Sequence, residues 1–155
     1  MGKIYYVMGK SASGKDTIYK RLVKKMPELG TVRMYTTRPI RDGETNGVEY
    51  IFTDEKQLQA MKDAGKVIEC RTYDTIYGPW SYFTADDGQI DLGSCSYLMM
   101  GTLESYEGLC KYYGAEVMVP LYIHVEDGVR LQRALNRENT QKNPKYAEMC
   151  RRFLA

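Results

Sequence analysis

The residues best placed to do chemistry lie near the start of the chain, in Gly9-Lys10-Ser11-Ala12-Ser13-Gly14-Lys15-Asp16-Thr17. Two glycines separated by four residues, with a lysine directly after the second, form the pattern of a phosphate cradle. Glycine lets the backbone curl until successive N–H groups point inward, a following helix adds positive potential, and Lys15 supplies a mobile cation. The position after the lysine, where a hydroxyl usually helps to hold Mg²⁺, is Asp16. A carboxylate is also a hard oxygen ligand, and Thr17 offers the hydroxyl one residue later. Asp16 is equally well read as a first-turn acid favoured by the helix dipole.

A cradle needs a strand before it and a helix after it. The apolar run 4–8 reads as a buried strand, and Ile18, Leu22 and Met26 recur at four-residue spacing on one helix face. Pro27 and Gly30 close that helix, and 31–37 reads as a second strand. A polar loop over 38–47 carries Arg38 and Arg41, and 48–52 resumes a strand. Asp54 caps the next helix with Gln57 at the capping-box position and Gly65 beyond its end. Strand 66–73, a turn at 77–80, an acidic loop over 84–93 and strand 96–100 follow, then a helix over 103–112 and strand 117–125. A basic helix over 127–137 leads to Pro144, expected in the first turn of a last helix. Strands and helices alternate in the first and last thirds, whereas the middle is strand-rich. The fold class is therefore α/β, a three-layer core with a parallel sheet, carrying an antiparallel-leaning insertion over about 32–95.

At 155 residues the chain is long enough for one such core with an insertion, not for two full domains. Twenty-two basic residues nearly balance twenty acidic ones, so no global field favours a nucleic-acid or membrane partner, and an anionic ligand must be gripped locally. Cys70, Cys95, Cys110 and Cys150 are widely spaced with no C-x-x-C pair, which fits reduced thiols in the cytoplasm rather than a disulfide framework or metal site. No signal peptide and no run of membrane-spanning length is expected. The single histidine, His124, follows an apolar run without a partner in sequence reach and reads as structural.

Downstream of the phosphate loop come Thr36-Thr37-Arg38-Pro39-Ile40-Arg41-Asp42-Gly43-Glu44, then Asn46-Gly47-Val48-Glu49-Tyr50-Ile51-Phe52, then Ile68-Glu69 and Tyr77-Gly78. Together, and in this order, they resemble the guanylate kinase family, and the resemblance runs over nearly the whole chain. It implies a core that binds ATP with Mg²⁺ (1–31 and 96–131), an insertion that binds GMP (32–95) and a lid that closes over the phosphates (132–150). By that resemblance Lys15 and the loop seat the donor, with Asp16 and Thr17 at the metal. Arg38, Arg41, Tyr50 and Tyr77-Gly78 grip the acceptor phosphate, and Glu69 accepts from the guanine N1 and N2 donors. Arg133 and Arg137 look like lid arginines, Arg151 or Arg152 resembles a third, and Thr102 takes part of the role of an acidic strand end. On residue type alone, Arg133 and Arg137 read as a solvated helix face, and Glu69 as a strand-end ion pair with Lys66 or Arg71.

The chain departs from the family in several places. Met34 and Pro79 stand where the family usually has hydroxyls that read guanine O6. Gly101-Thr102-Leu103 replaces the acidic strand end, and the family's further strand and helix do not follow Ala155, from which a shortened adenine site with weakened ATP binding is expected. The resemblance implies a kinase of GMP. Alternatives are a related small-molecule kinase with altered acceptor choice and a non-catalytic module that binds phosphorylated protein segments. Oligomeric state is left open.

Overall fold

The computed structural model describes residues 1–155. The order is β1 (Ile4–Gly9), α1 (Lys15–Lys25), β2 (Gly30–Thr31), β3 (Tyr35–Thr36), β4 (Ile51–Phe52), α2 (Glu55–Asp63), β5 (Val67–Thr75), β6 (Gly78–Ala85), β7 (Tyr97–Met100), α3 (Leu103–Tyr113), β8 (Met118–Ile123), α4 (Asp127–Asn139) and α5 (Tyr146–Leu154). The strands form two four-stranded sheets, β2-β7-β1-β8 and β4-β3-β6-β5. Every pairing in the first is parallel. In the second, β3 pairs β4 in parallel and β6 antiparallel, and β5 pairs β6 antiparallel.

Alternation along β1 explains the first core. Ile4, Tyr6 and Met8 share one face, where they meet Tyr97, Met99 and Met118 from neighbouring strands and Leu109 from α3. Val7 and Leu98 are buried too, and α1 lies against β1 and β7. With both faces covered, β1 reads as a continuous apolar run. Tyr6 brings a hydroxyl into this core and bonds Ser105 of α3. Burial, the largest influence, pushes its phenol up to about 12.

The same alternation divides the second sheet into a packed face and a working face. Leu58 of α2 packs with Phe83 and Ala85, flanked by Tyr35, Met61, Val67 and Cys70. On the other face of β5 lie Glu69, Arg71 and Tyr73, opposite Thr84, Tyr82 and Trp80 of β6. Thr36 faces Tyr82 across the β3–β6 pair, and Phe52 sits beside Thr36. A register shift between Val67 and Glu69 marks a bulge at the root of β5, and Ile68 there packs against the first core.

The structure corrects several boundaries. The expected strand over 31–37 is two short pieces in different sheets. Thr31 pairs with Leu98 and Tyr35 with Phe83, so the chain crosses from one sheet to the other between them. Of the strand expected over 48–52 only Ile51–Phe52 forms, because 45–50 folds into a turn held by Val48 N–H to the Thr45 carbonyl and Gly47 N–H to that of Tyr50. The segment divided between a turn at 77–80 and a loop from 84 contains the eight-residue strand β6; the turn itself is Ile76-Tyr77, between paired Thr75 and Gly78. Asp54 does cap α2, accepting from Gln57 N–H at 2.8 Å, but the Gln57 side chain accepts from the Thr53 hydroxyl instead of closing a capping box. Helix α5 starts at Tyr146 with Lys145 as its N-cap, which leaves Pro144 outside the first turn.

Candidate active site

The phosphate loop leaves β1 at Gly9 and enters α1 through Gly14. Ala12 (φ 60) and Gly14 (φ 85) both adopt left-handed backbone, and Ser13 N–H closes the turn on the Lys10 carbonyl at 3.1 Å. At Gly9 the reason for glycine is close approach: a Cβ would lie 2.5 Å from Ser13 Oγ and 3.0 Å from the Ile123 carbonyl. Ser13 is buried, and its hydroxyl finds no partner within the protein.

Helix α4 braces the loop from behind. Arg130, 2 % exposed, donates from Nη1 to the Ser11 carbonyl at 3.0 Å and from Nη2 to Asp127 at 2.7 Å, and its guanidinium lies 4.4 Å from the Phe153 ring of α5. Arg133, one turn on, reaches the Ser13 carbonyl at 3.5 Å. In front of the loop opens a cavity of ≈ 580 Å³, lined by residues 12–18 and by Arg133 and Arg137. The structure therefore brings Lys15, Arg133 and Arg137 to one concavity. Three cationic side chains and a helix N-terminus suit a polyphosphate, and the unpartnered Ser13 hydroxyl is one further donor there. Asp16 and Thr17 are exposed at the same opening. No three His, Cys, Asp or Glu side chains converge anywhere in the chain. A cation at Asp16 and Thr17 would share its shell with phosphate oxygens and water, which matches the habit of Mg²⁺.

Arg38 is 4 % exposed and points into the protein. Its two terminal nitrogens donate to the two Glu44 oxygens at 2.8 Å each, and Nη1 also reaches the Pro39 carbonyl at 3.0 Å. The guanidinium lies 5.7 Å from the Tyr50 ring centre and 5.5 Å from that of Phe52. Hydrogen bonding from Arg38 holds the Glu44 carboxyl down at about 2, with the Arg41 N–H helping. The Arg41 side chain is exposed. Burial raises the Tyr50 phenol; Tyr82, Arg38, Arg71 and Asp16 act on it as well, in that order. Tyr77 is 74 % exposed at the hairpin tip, stacked on Trp80 at 5.9 Å, and Gly78 begins β6 with φ 102. The ring contact of Tyr77 is with Trp80, whereas Arg38 lies against the Tyr50 and Phe52 rings.

Glu69 is buried, and both its oxygens are engaged. Thr84 donates to Oε1 at 2.8 Å and Arg71 Nε to Oε2 at 3.1 Å. Of the two ion-pair partners that residue type allows, the structure selects Arg71. Arg71 also reaches Thr102 Oγ1 at 3.2 Å and, more weakly, Met34 Sδ at 3.7 Å. Thr102 caps α3 by accepting from Ser105 N–H. Gly108 of α3 abuts Glu69, where a Cβ would come within 2.6 Å of the Glu69 Cβ. Arg151 and Arg152 both bond Glu148 on their own helix, and none of their contacts reaches the cradle.

Sequence reasoning assigned no site role to Glu44, Arg71, Tyr82 or Arg130. Glu44 and Arg71 had a signal: one ends the Arg38–Arg41 run, and the other lies two residues after Glu69 on the same strand face. Arg130 precedes Arg133 by one helical turn, but burial separates them, and burial is not written in the spacing.

Residues 1–81 match the family described as guanylate kinase. The guanylate kinase of Legionella pneumophila (strain Lens) is 37% identical over 78 residues, which cover 50% of this chain and 37% of that protein. For that of Coxiella burnetii (strain RSA 493 / Nine Mile phase I) the identity is 37% over 76 residues, 48% of this chain and 37% of the relative. The matches thus span little more than a third of the length of these curated relatives. Among solved structures, the guanylate kinase from Anaplasma phagocytophilum shares the fold, with a TM-score of 0.58 at 18% identity over 78% of this chain and 58% of that one.

Proposed function

This chain belongs to the guanylate kinase family, and from that membership we propose that it transfers the γ-phosphoryl group of ATP to GMP. One observation carries the reading: the phosphate loop shares one cavity with Arg133 and Arg137, and a second, buried arginine, Arg38, is held by Glu44 beside the Tyr50 and Phe52 rings. Phosphoryl transfer asks the protein chiefly for alignment and positive charge. For this reaction we divide the chain into a core (1–31 and 96–131), an acceptor-binding insertion (32–95) and a lid (132–150).

Lys15 and the inward N–H groups of the loop hold the donor's terminal phosphates. Arg38, kept in orientation by Glu44 and the Tyr50 and Phe52 rings, holds the acceptor phosphate together with Arg41. An acceptor phosphate oxygen bonds to the γ-phosphorus while the bond to the bridging β–γ oxygen breaks, and ADP retains that oxygen. Arg133 and Arg137 neutralise the charge that builds on the γ oxygens. Asp16 and Thr17 would hold Mg²⁺, which would supply further neutralisation of phosphate charge. Closing the insertion over the core keeps water from the γ-phosphate.

No helix of the chain is long and apolar enough to cross a membrane. All four cysteines are free thiols, which suits a reducing compartment. The test is ADP formation from ATP with GMP, dGMP, AMP, CMP and UMP in turn, for the wild type and Lys15→Ala. The reading expects GMP to lead and the variant to lose activity with its fold intact. No ADP with any acceptor would refute it, and full activity in Lys15→Ala would remove the cradle from the mechanism.

A further inference from the structure

The Glu69–Arg71 pair leaves part of its bonding capacity unspent. A guanidinium carries five N–H donors, and Arg71 commits three, one of them only to a thioether. A carboxylate offers about four acceptor sites, and Glu69 commits two, to Thr84 and Arg71. Both groups lie on the working face of β5, two residues apart. An acceptor-rich group and a donor-rich group are thereby fixed side by side, each oriented by the other.

We propose that Arg71 is a specificity-determining residue that reads the O6 atom of a guanine base whose N1–H and N2–H₂ face Glu69; the inference rests on the GMP kinase reading above. The recognised edge of guanine runs acceptor, donor, donor. Arg71 and Glu69 present donor, acceptor, acceptor, the complementary order. Adenine offers an amino donor to the guanidinium and a ring lone pair to the carboxylate, so both contacts would be like against like. Met34 and Pro79 carry no hydroxyl for O6, and Arg71 Nη2 lies against the Met34 sulfur. Arg71 thus brings a donor to the place where residue 34 itself has none. Thr102 steadies the guanidinium from the α3 side.

The experiment measures binding without ATP, so that it does not depend on phosphoryl transfer. GMP, IMP, which lacks the N2 amino group, and 6-thioguanosine monophosphate, which keeps N1–H and N2–H₂ but offers weakly accepting sulfur for O6, are titrated calorimetrically into wild type, Arg71→Met and Arg71→Lys. Wild type is expected to prefer GMP over the thio analogue by about tenfold, the size of one good hydrogen bond. Arg71→Met should shrink that preference to within about twofold, while the GMP-to-IMP ratio, which reports Glu69, should fall by less, because Glu69 loses its Arg71 partner but keeps its Thr84 anchor. Arg71→Lys, with one mobile ammonium, should fall between them and decides the matter if the Met variant fails to fold. Equal losses for all three ligands would make Arg71 merely structural, and tighter GMP binding by Arg71→Met would make it a plug; either overturns the proposal, as does a wild type that binds none of the three. If the binding pattern holds but no ADP forms with GMP, the kinase reading fails while the O6 assignment stands.

Discussion

Replacing Arg130 by methionine would separate the bracing of the phosphate loop from its chemistry. The variant keeps a stem of similar length against Phe153 but removes the donor to the Ser11 carbonyl. That bond has a charged donor and is buried, so its loss costs about 1.5–3 kcal/mol. The Asp127 pair adds little, because its carboxylate is exposed. A thioether on an aromatic ring recovers much of the cation–π attraction at 4.4 Å, leaving a deficit of about 0.5–1 kcal/mol. Against these losses, Arg130 Nε is buried without a partner, and removing it returns about 1–3 kcal/mol. The net is a destabilisation of about 1 kcal/mol, or about 2–4 °C in melting temperature for a chain of this size. The functional loss should exceed that, because a Ser11 carbonyl without its anchor lets the loop N–H groups scatter. An increase of about tenfold in the KM for ATP is expected, with the KM for GMP unchanged. Differential scanning fluorimetry and initial-rate kinetics over both substrates measure the two effects. An unchanged ATP KM, or equal changes for both substrates, would refute the bracing role.

Gly108→Ala should lower the melting temperature by about 2–4 °C. The helix gains about 1 kcal/mol, but overpacking against Glu69, which cannot yield while bonded to Arg71 and Thr84, costs about 1–3 kcal/mol. A stabilised variant in thermal melts would show that α3 can retreat from β5. The Glu44 carboxyl is depressed from 4.5 to about 2 in the folded chain, so its contribution is present above the unfolded value and is lost as pH falls toward 2. Glu44→Gln should therefore flatten the acid limb of a stability–pH profile between about 4.5 and 2, and an unaltered limb would count against the Arg38–Glu44 pair.

Local patterns made much of the fold legible. The run into β1, the glycines and lysine of the loop and the Asp54 cap are each decided by neighbouring residues, and each appears in the structure; of the four-residue spacing in α1, Ile18 and Leu22 lie on the helix, whereas Met26 is its exposed C-cap. Strand β6 was hidden because Pro79, Ser81 and Thr84 interrupt apolar alternation, and its burial comes from α2 and from neighbouring strands far away in sequence. The break between β2 and β3 was equally invisible, since it depends on which sheet receives each end. At the site, residue type and order located the cradle and Arg38 but could not show that Arg38 is turned inward onto Glu44, or that Glu69 is already occupied by Arg71. Those are pairings across folded chain, and spacing alone does not select among possible partners.

The most direct test of the account is the binding of a bisubstrate analogue, adenosine and guanosine joined through five phosphates. If the cradle at Lys15 and the arginine cluster at Arg38 face each other across one cleft, one molecule should bind per chain. Its affinity should exceed that of ATP or GMP by about a hundredfold or more, because the second site is engaged without a second loss of translational freedom. An affinity no better than that of ATP alone would mean that the two anion sites do not share a cleft.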